Sequence, residues 1–109
     1  MNYNKKDRDN YNHDRDITCD RLGITKNQYN QFRRIGQSLR KIYEMNCNGE
    51  FGNEFQYEEA TNDDYHGADN LAKKLGLEIF YQTDPRGATI YLDKEPIPEN
   101  NYTNACCIY

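Results

Sequence analysis

The stretch Leu75-Gly76-Leu77-Glu78-Ile79-Phe80-Tyr81-Gln82-Thr83-Asp84-Pro85-Arg86-Gly87-Ala88-Thr89-Ile90-Tyr91-Leu92 holds a helix stop, a strand, a tight turn and a second strand in succession. Gly76 suits the first residue beyond a helix, where glycine takes the left-handed conformation without a Cβ penalty and Leu77 folds back on the last turn. Lys73 and Lys74 precede it, where positive charge complements the helix C-terminus. Ile79, Phe80 and Tyr81 are strong strand formers. Asp84-Pro85-Arg86-Gly87 has the residue order of a type I turn, and a left-handed Gly87 makes it a three-residue hairpin loop with a bulge. That loop pairs Tyr81 with Tyr91 and Phe80 with Leu92, placing Phe80, Ile90 and Leu92 on the core face and Tyr81, Thr83, Thr89 and Tyr91 on the other. A two-residue loop instead gathers Ile79, Tyr81, Ile90 and Leu92 on one side. Either hairpin is marginal alone in water, so other elements must cover it.

Two helical patterns upstream supply the cover. Thr25 and Gln28 form a capping box, with Ile24 and Tyr29 at the staple positions. Tyr29, Phe32, Ile35, Leu39, Ile42 and Tyr43 then fall on one helical face, which closes near Asn46-Cys47-Asn48-Gly49. Gly36, inside this helix, marks either a close approach or a weak point. A second helix starts near Asn53 with Tyr57, Ala60, Asp64 or Tyr65, Ala68, Leu71, Ala72 and Leu75 as its face. Thr61 to Asp64 and Gly67 soften its middle without dividing it.

The outer segments lack such patterns. Residues 1–22 alternate polar and charged side chains with little to bury, which predicts a flexible arm. Residues 94–109 carry Pro96 and Pro98 and predict an extended tail. The expected organisation is therefore one α+β domain over residues 23–93, a helical hairpin packed on a two-stranded antiparallel hairpin, with adaptable ends. Length agrees with one domain: 109 residues is too short for two. No apolar run is long enough to cross a membrane and the N-terminus has no signal-peptide pattern, so a cytosolic chain is expected.

Charge is unevenly placed around the net value of −4. Residues 25–47 carry Lys26, Arg33, Arg34, Arg40 and Lys41 against Glu44 alone. Residues 48–72 carry Glu50, Glu54, Glu58, Glu59, Asp63, Asp64 and Asp69 with no lysine or arginine. Two antiparallel helices of complementary charge account for this pattern, and so does a charged face that meets a partner. Cys19, Cys47, Cys106 and Cys107 include no Cys-x-x-Cys pair, and His13 and His66 lack ligand spacing, so free thiols and no metal or cofactor are expected. His66 among Asp63, Asp64 and Asp69 lacks the nucleophile and orienting group that catalysis requires, which points away from an enzyme.

Two motifs carry a resemblance. One is the helix ending Leu39-Arg40-Lys41-Ile42-Tyr43-Glu44. The other runs from Ala72 to Leu92, with Leu75-Gly76-Leu77, the turn Asp84-Pro85-Arg86-Gly87 and Ile90-Tyr91-Leu92, although its aromatic is displaced to Phe80-Tyr81. On these the block from about Tyr29 to Leu92 resembles small proteins encoded by bacteriophages and prophages; residues 1–22 and 94–109 fall outside it. The resemblance implies a phage accessory protein, brings no catalytic residues, and points to binding and inhibition of a host bacterial protein, a counter-defence factor such as an anti-CRISPR.

The contacts expected for such a partner are Glu58, Glu59, Asp63 and Asp64 on the second helix, Asp84 and Arg86 in the turn, and a cross-strand patch of Tyr81 and Tyr91. Asp84 alternatively caps its own turn. Self-association through the free hairpin edge is a further expectation. A second reading gives Arg33, Arg34, Arg40 and Lys41 to nucleic acid, against a sequence pI of about 5.1. A third has Arg86 and the tyrosines holding a small ligand or nucleotide.

Overall fold

The computed structural model describes the backbone of residues 5–84 and 87–109 and the side chains of residues 10–83 and 87–109. Helices α1 (Lys5–Leu22), α2 (Lys26–Cys47) and α3 (Glu54–Lys74) precede strands β1 (Glu78–Asp84) and β2 (Gly87–Asp93); a 3-10 turn (Glu99–Asn104) then leads to a short strand β3 (Cys106–Cys107). The class is α+β, as the patterns predict. The sheet is antiparallel in the order β1-β2-β3, three strands rather than the two expected.

The helix boundaries follow their local signals. At α2, the Thr25 side chain accepts the Gln28 backbone N–H at 3.1 Å, and the Gln28 side chain accepts the Thr25 backbone N–H at 2.9 Å. Asn53 caps α3 by accepting from the Gln56 N–H at 2.9 Å. The soft middle of α3 does not break, so Glu54–Lys74 is one helix. It ends at Gly76, whose φ of +69° lets the Leu77 N–H reach the Ala72 carbonyl at 2.8 Å. The same device ends α1, with Gly23 left-handed and the Ile24 N–H on the Cys19 carbonyl.

Packing sets the hairpin register. Ile79 pairs with Leu92, Phe80 with Tyr91, Tyr81 with Ile90 and Asp84 with Gly87, so the loop spans two residues. The three-residue loop is thus corrected, and the core face with it: Ile90 and Leu92 are buried, with Ile79 and Tyr81 packed against their cluster. Phe80 faces the opposite side. In the other register Ile79 would leave the core and Phe80 replace it. The turn residues favour one loop, but the buried face decides between registers. At the start of β2 the sheet approaches α2 closely: a Cβ added to Gly87 would lie 3.3 Å from the Arg40 Cα.

The last turn of α1 and residues 105–108 both contribute to this core. Residues 5–22 form a helix where a flexible arm is expected, and its last turn buries Cys19 and Leu22. Arg21 Nη2 donates to the Asn104 carbonyl at 2.7 Å and meets the Asp93 carboxylate at 3.3 Å, holding that turn to the sheet's end. The tail is corrected as well. Ile108 is buried, its N–H donates to the Ile90 carbonyl at 2.8 Å, and Cys106 faces the core. Gly36 marks a close approach: a Cβ there would stand 2.7 Å from the Tyr109 ring. Phe32, Leu39, Ile90, Leu92 and Ile108 are the largest fully buried side chains.

Candidate protein-binding surfaces

The α2–α3 seam is made of hydroxyls and rings. Ser38 Oγ donates to Asp64 Oδ2 at 2.6 Å, the Tyr43 and Tyr65 hydroxyls meet at 3.3 Å, and Tyr43 packs edge-on against Tyr57 with centroids 5.7 Å apart. Tyr65 in turn packs edge-on against Tyr81 at 4.8 Å, and Tyr81 Oη donates to Asp69 Oδ1 at 2.6 Å. Among the described residues the ion pairs are Arg15–Asp16, Arg21–Asp93, Lys26–Asp16 and Arg40–Glu44, and none of them crosses this seam. Glu54, Glu58, Glu59 and Asp63 of α3 are exposed instead of being paired with α2.

Burial, then hydrogen bonding with Tyr43, pushes the Tyr57 hydroxyl up to about 12. Tyr65 is raised further for the same reasons, and Tyr81 by burial and then by the Asp69 carboxylate, which accepts its proton and repels its phenolate. These folded-state values lie above the ordinary tyrosine value near 10. Their contribution to stability is complete below about pH 10 and is lost as pH rises through the folded values, about 12 for Tyr57 and higher for Tyr65 and Tyr81. The expected result is a melting temperature that falls steadily above pH 10, with part of the tyrosine absorbance changing only as the chain unfolds. One phenolate transition near 10 for all ten tyrosines, with the fold intact, would refute the seam.

The predicted contact residues separate. Glu58, Glu59 and Asp63 are exposed on α3. Asp64 is turned to Ser38 and held in the seam. The expected patch of Tyr81 with Tyr91 does not form, because the two-residue loop sends them to opposite faces. Tyr81 joins the seam, whereas Tyr91 lies outside with Phe80 and Tyr102, the last two rings stacked 4.9 Å apart. The side chain of Asp84 and the whole of Arg86 lie outside the described residues.

On α2, Arg33 is committed internally. Its Nη1 donates to the Ile108 carbonyl at 3.0 Å, and its guanidinium lies over the rings of Tyr11 and Tyr109. Arg34, Arg40 and Lys41 are exposed, and Arg40 pairs with Glu44 one turn on.

The sequence pattern does not reveal one feature. Phe55 is 70% exposed and falls on the same α3 face as Glu58, Glu59, Asn62 and Asp63. Only the helix phase, set by the buried Thr61, Ala68 and Ala72, shows that it points outward.

Cys19 and Cys106 are buried thiols, Cys47 and Cys107 exposed ones, and among the described residues no group of histidine, cysteine and carboxylate side chains gathers as metal ligands would. No described helix is long and apolar enough to cross a membrane. No protein family, no curated protein and no solved structure matches the chain.

Proposed function

We propose that this chain acts by binding another protein, without catalysis of its own. In this reading it is a phage-encoded protein, its partner is a host bacterial protein met in the cytoplasm, and binding inhibits that partner as a counter-defence factor would. The observation that carries the binding surface is the outer face of α3. Phe55 stands 70% exposed beside the exposed carboxylates of Glu58, Glu59 and Asp63. An aromatic side chain surrounded by charge of one sign offers an anchor together with electrostatic steering, and the complementary surface is basic with an apolar pocket. Nucleic acid is disfavoured by the same charge and by the internal engagement of Arg33.

Affinity purification from a nuclease-treated bacterial lysate tests the reading. Combined Glu58→Lys, Glu59→Lys and Asp63→Lys substitutions are expected to lower recovery of a stoichiometric protein partner by about tenfold or more, and Phe55→Ala alone by a similar factor, as loss of a central aromatic does. Recovery unchanged by these substitutions would remove this face from the interface. Recovery abolished by nuclease would favour nucleic acid.

A further inference from the structure

We infer that the outer edge of β1 takes up an extended segment of a partner protein, with lysine or arginine at the segment's ends, as a fourth strand of the sheet. The inference deepens the protein-binding reading and rests on it.

Hairpin geometry determines which backbone groups are open. A two-residue loop makes Asp84 and Gly87 a mutually hydrogen-bonded pair, and alternation makes Gln82–Thr89, Phe80–Tyr91 and Glu78–Asp93 the next ones. The N–H and C=O groups of Ile79, Tyr81 and Thr83 then point away from β2. The far side of β2 obeys the same alternation, since the Ile90 carbonyl turns toward β3 and accepts the Ile108 N–H at 2.8 Å. Among the described residues no strand lies beyond β1, whereas β3 covers the opposite edge of β2.

Proline, lysine and a bulge are missing from this edge. Exposed edges are commonly blunted by proline, a bulge or lysine. β1 has seven residues, pairs residue for residue with β2, and contains neither proline nor lysine. Its outer face adds side-chain contacts: Phe80 continues from the edge into a row with Tyr102 and Tyr91. A β-branched or aromatic residue on an added strand extends that row.

Charge selects the occupant. In the antiparallel register where all three open residues pair with a second copy, Tyr81 meets its counterpart and Glu78 falls opposite the other chain's Asp84. Like charges directly opposite oppose pairing. Exposed Glu78 at the strand's start and exposed Asp69, 2.6 Å from the Tyr81 hydroxyl, favour cationic ends on the incoming segment.

The probe is a blocked peptide, Lys-Arg-Val-Thr-Tyr-Val-Thr-Arg-Lys, with a twin in which glutamate replaces every lysine and arginine. The readout is amide hydrogen exchange by NMR on the intact chain. Alone, Ile79, Tyr81 and Thr83 are expected to exchange fast while Phe80 and Gln82 exchange slowly. Millimolar basic peptide is expected to slow the first three by about tenfold or more, the effect of roughly one net hydrogen bond each, and the acidic twin to leave them unchanged. Thr83→Pro removes an outward N–H without touching the ladder, and is expected to weaken peptide binding about tenfold while the Thr89 and Tyr91 amides, which face β1, stay protected. No protection, equal protection by both peptides, or protection that grows with protein concentration alone overturns the inference, the last in favour of a second copy. If the edge fails while partner recovery still depends on Glu58, Glu59 and Asp63, only the edge is lost and the protein-binding reading stands.

Discussion

Phe32→Ala is expected to lower the free energy of unfolding by about 3–5 kcal/mol, the range for emptying an aromatic site in a core. Phe32 is 0% exposed and shares one cluster with Leu22, Tyr29, Ile90, Leu92 and Ile108. It therefore joins α1, α2 and the sheet, and its loss opens space that no single element can collapse to fill. Domains of this size have about 5–15 kcal/mol of stability in total, so the variant sits near the edge of folding at ordinary temperature. Phe55→Ala is the contrast. Its side chain is 70% exposed, and a surface change of this kind stays within about 0.5 kcal/mol. Chemical denaturation of both variants checks the pair. A loss below about 1 kcal/mol at Phe32 would mean that its surroundings are not packed as described.

The same contrast shows what local pattern encodes. The α2 face was legible because Tyr29, Phe32 and Leu39 recur at helical spacing after a capping box and are buried, with Ile35, Ile42 and Tyr43 half-buried beside them. Gly76 was legible because a left-handed helix ending has few other solutions. The exposure of Phe55 was not legible, because hydrophobicity at a helix start does not fix the direction of the side chain. That direction depends on which later residues contact the sheet, and those contacts are nonlocal. The hairpin register failed similarly. Asp84-Pro85-Arg86-Gly87 favours one loop locally, whereas the packing of Ile79 and Tyr81 against the central cluster distinguishes registers only once the helices are placed.

The candidate surface was half legible. The run of carboxylates from Glu58 to Asp63 is visible in the sequence, but whether α2 neutralises it is not. The structure answers through Ser38, Tyr43, Tyr57 and Tyr65, which fill the seam where salt bridges would otherwise run. The terminal segments were illegible for another reason. α1 is strongly polar, and among its described side chains only Cys19 and Leu22, in its last turn, are buried, so no periodic signal marks it as a helix. The C-terminal strand is two residues long, too short to produce any alternation.

Ile108→Ala tests that last point, with an expected cost of about 2–5 kcal/mol, the range for truncating a fully buried isoleucine. Three independent contacts hold this residue. Its side chain is 1% exposed within the central cluster, its N–H donates to the Ile90 carbonyl, and its carbonyl accepts from Arg33 Nη1 at 3.0 Å. Its position also fixes its neighbours, because Tyr109 lies over Gly36 and under the Arg33 guanidinium. The cost should therefore reach α1, whose Tyr11 lies against the same guanidinium at 5.1 Å. Hydrogen exchange on the variant is expected to show lost protection at the residue 108 amide, which donates to the Ile90 carbonyl, together with faster exchange in the last turns of α1, while the capping box at Thr25 persists. Ile97→Ala, in the same terminal segment but only partly buried, should cost less than half as much. Equal and small effects at Ile97 and Ile108 would return the C-terminus to the status of a tail. A large, selective effect at Ile108 would establish the C-terminal segment as a structural part of the sheet's β2 side.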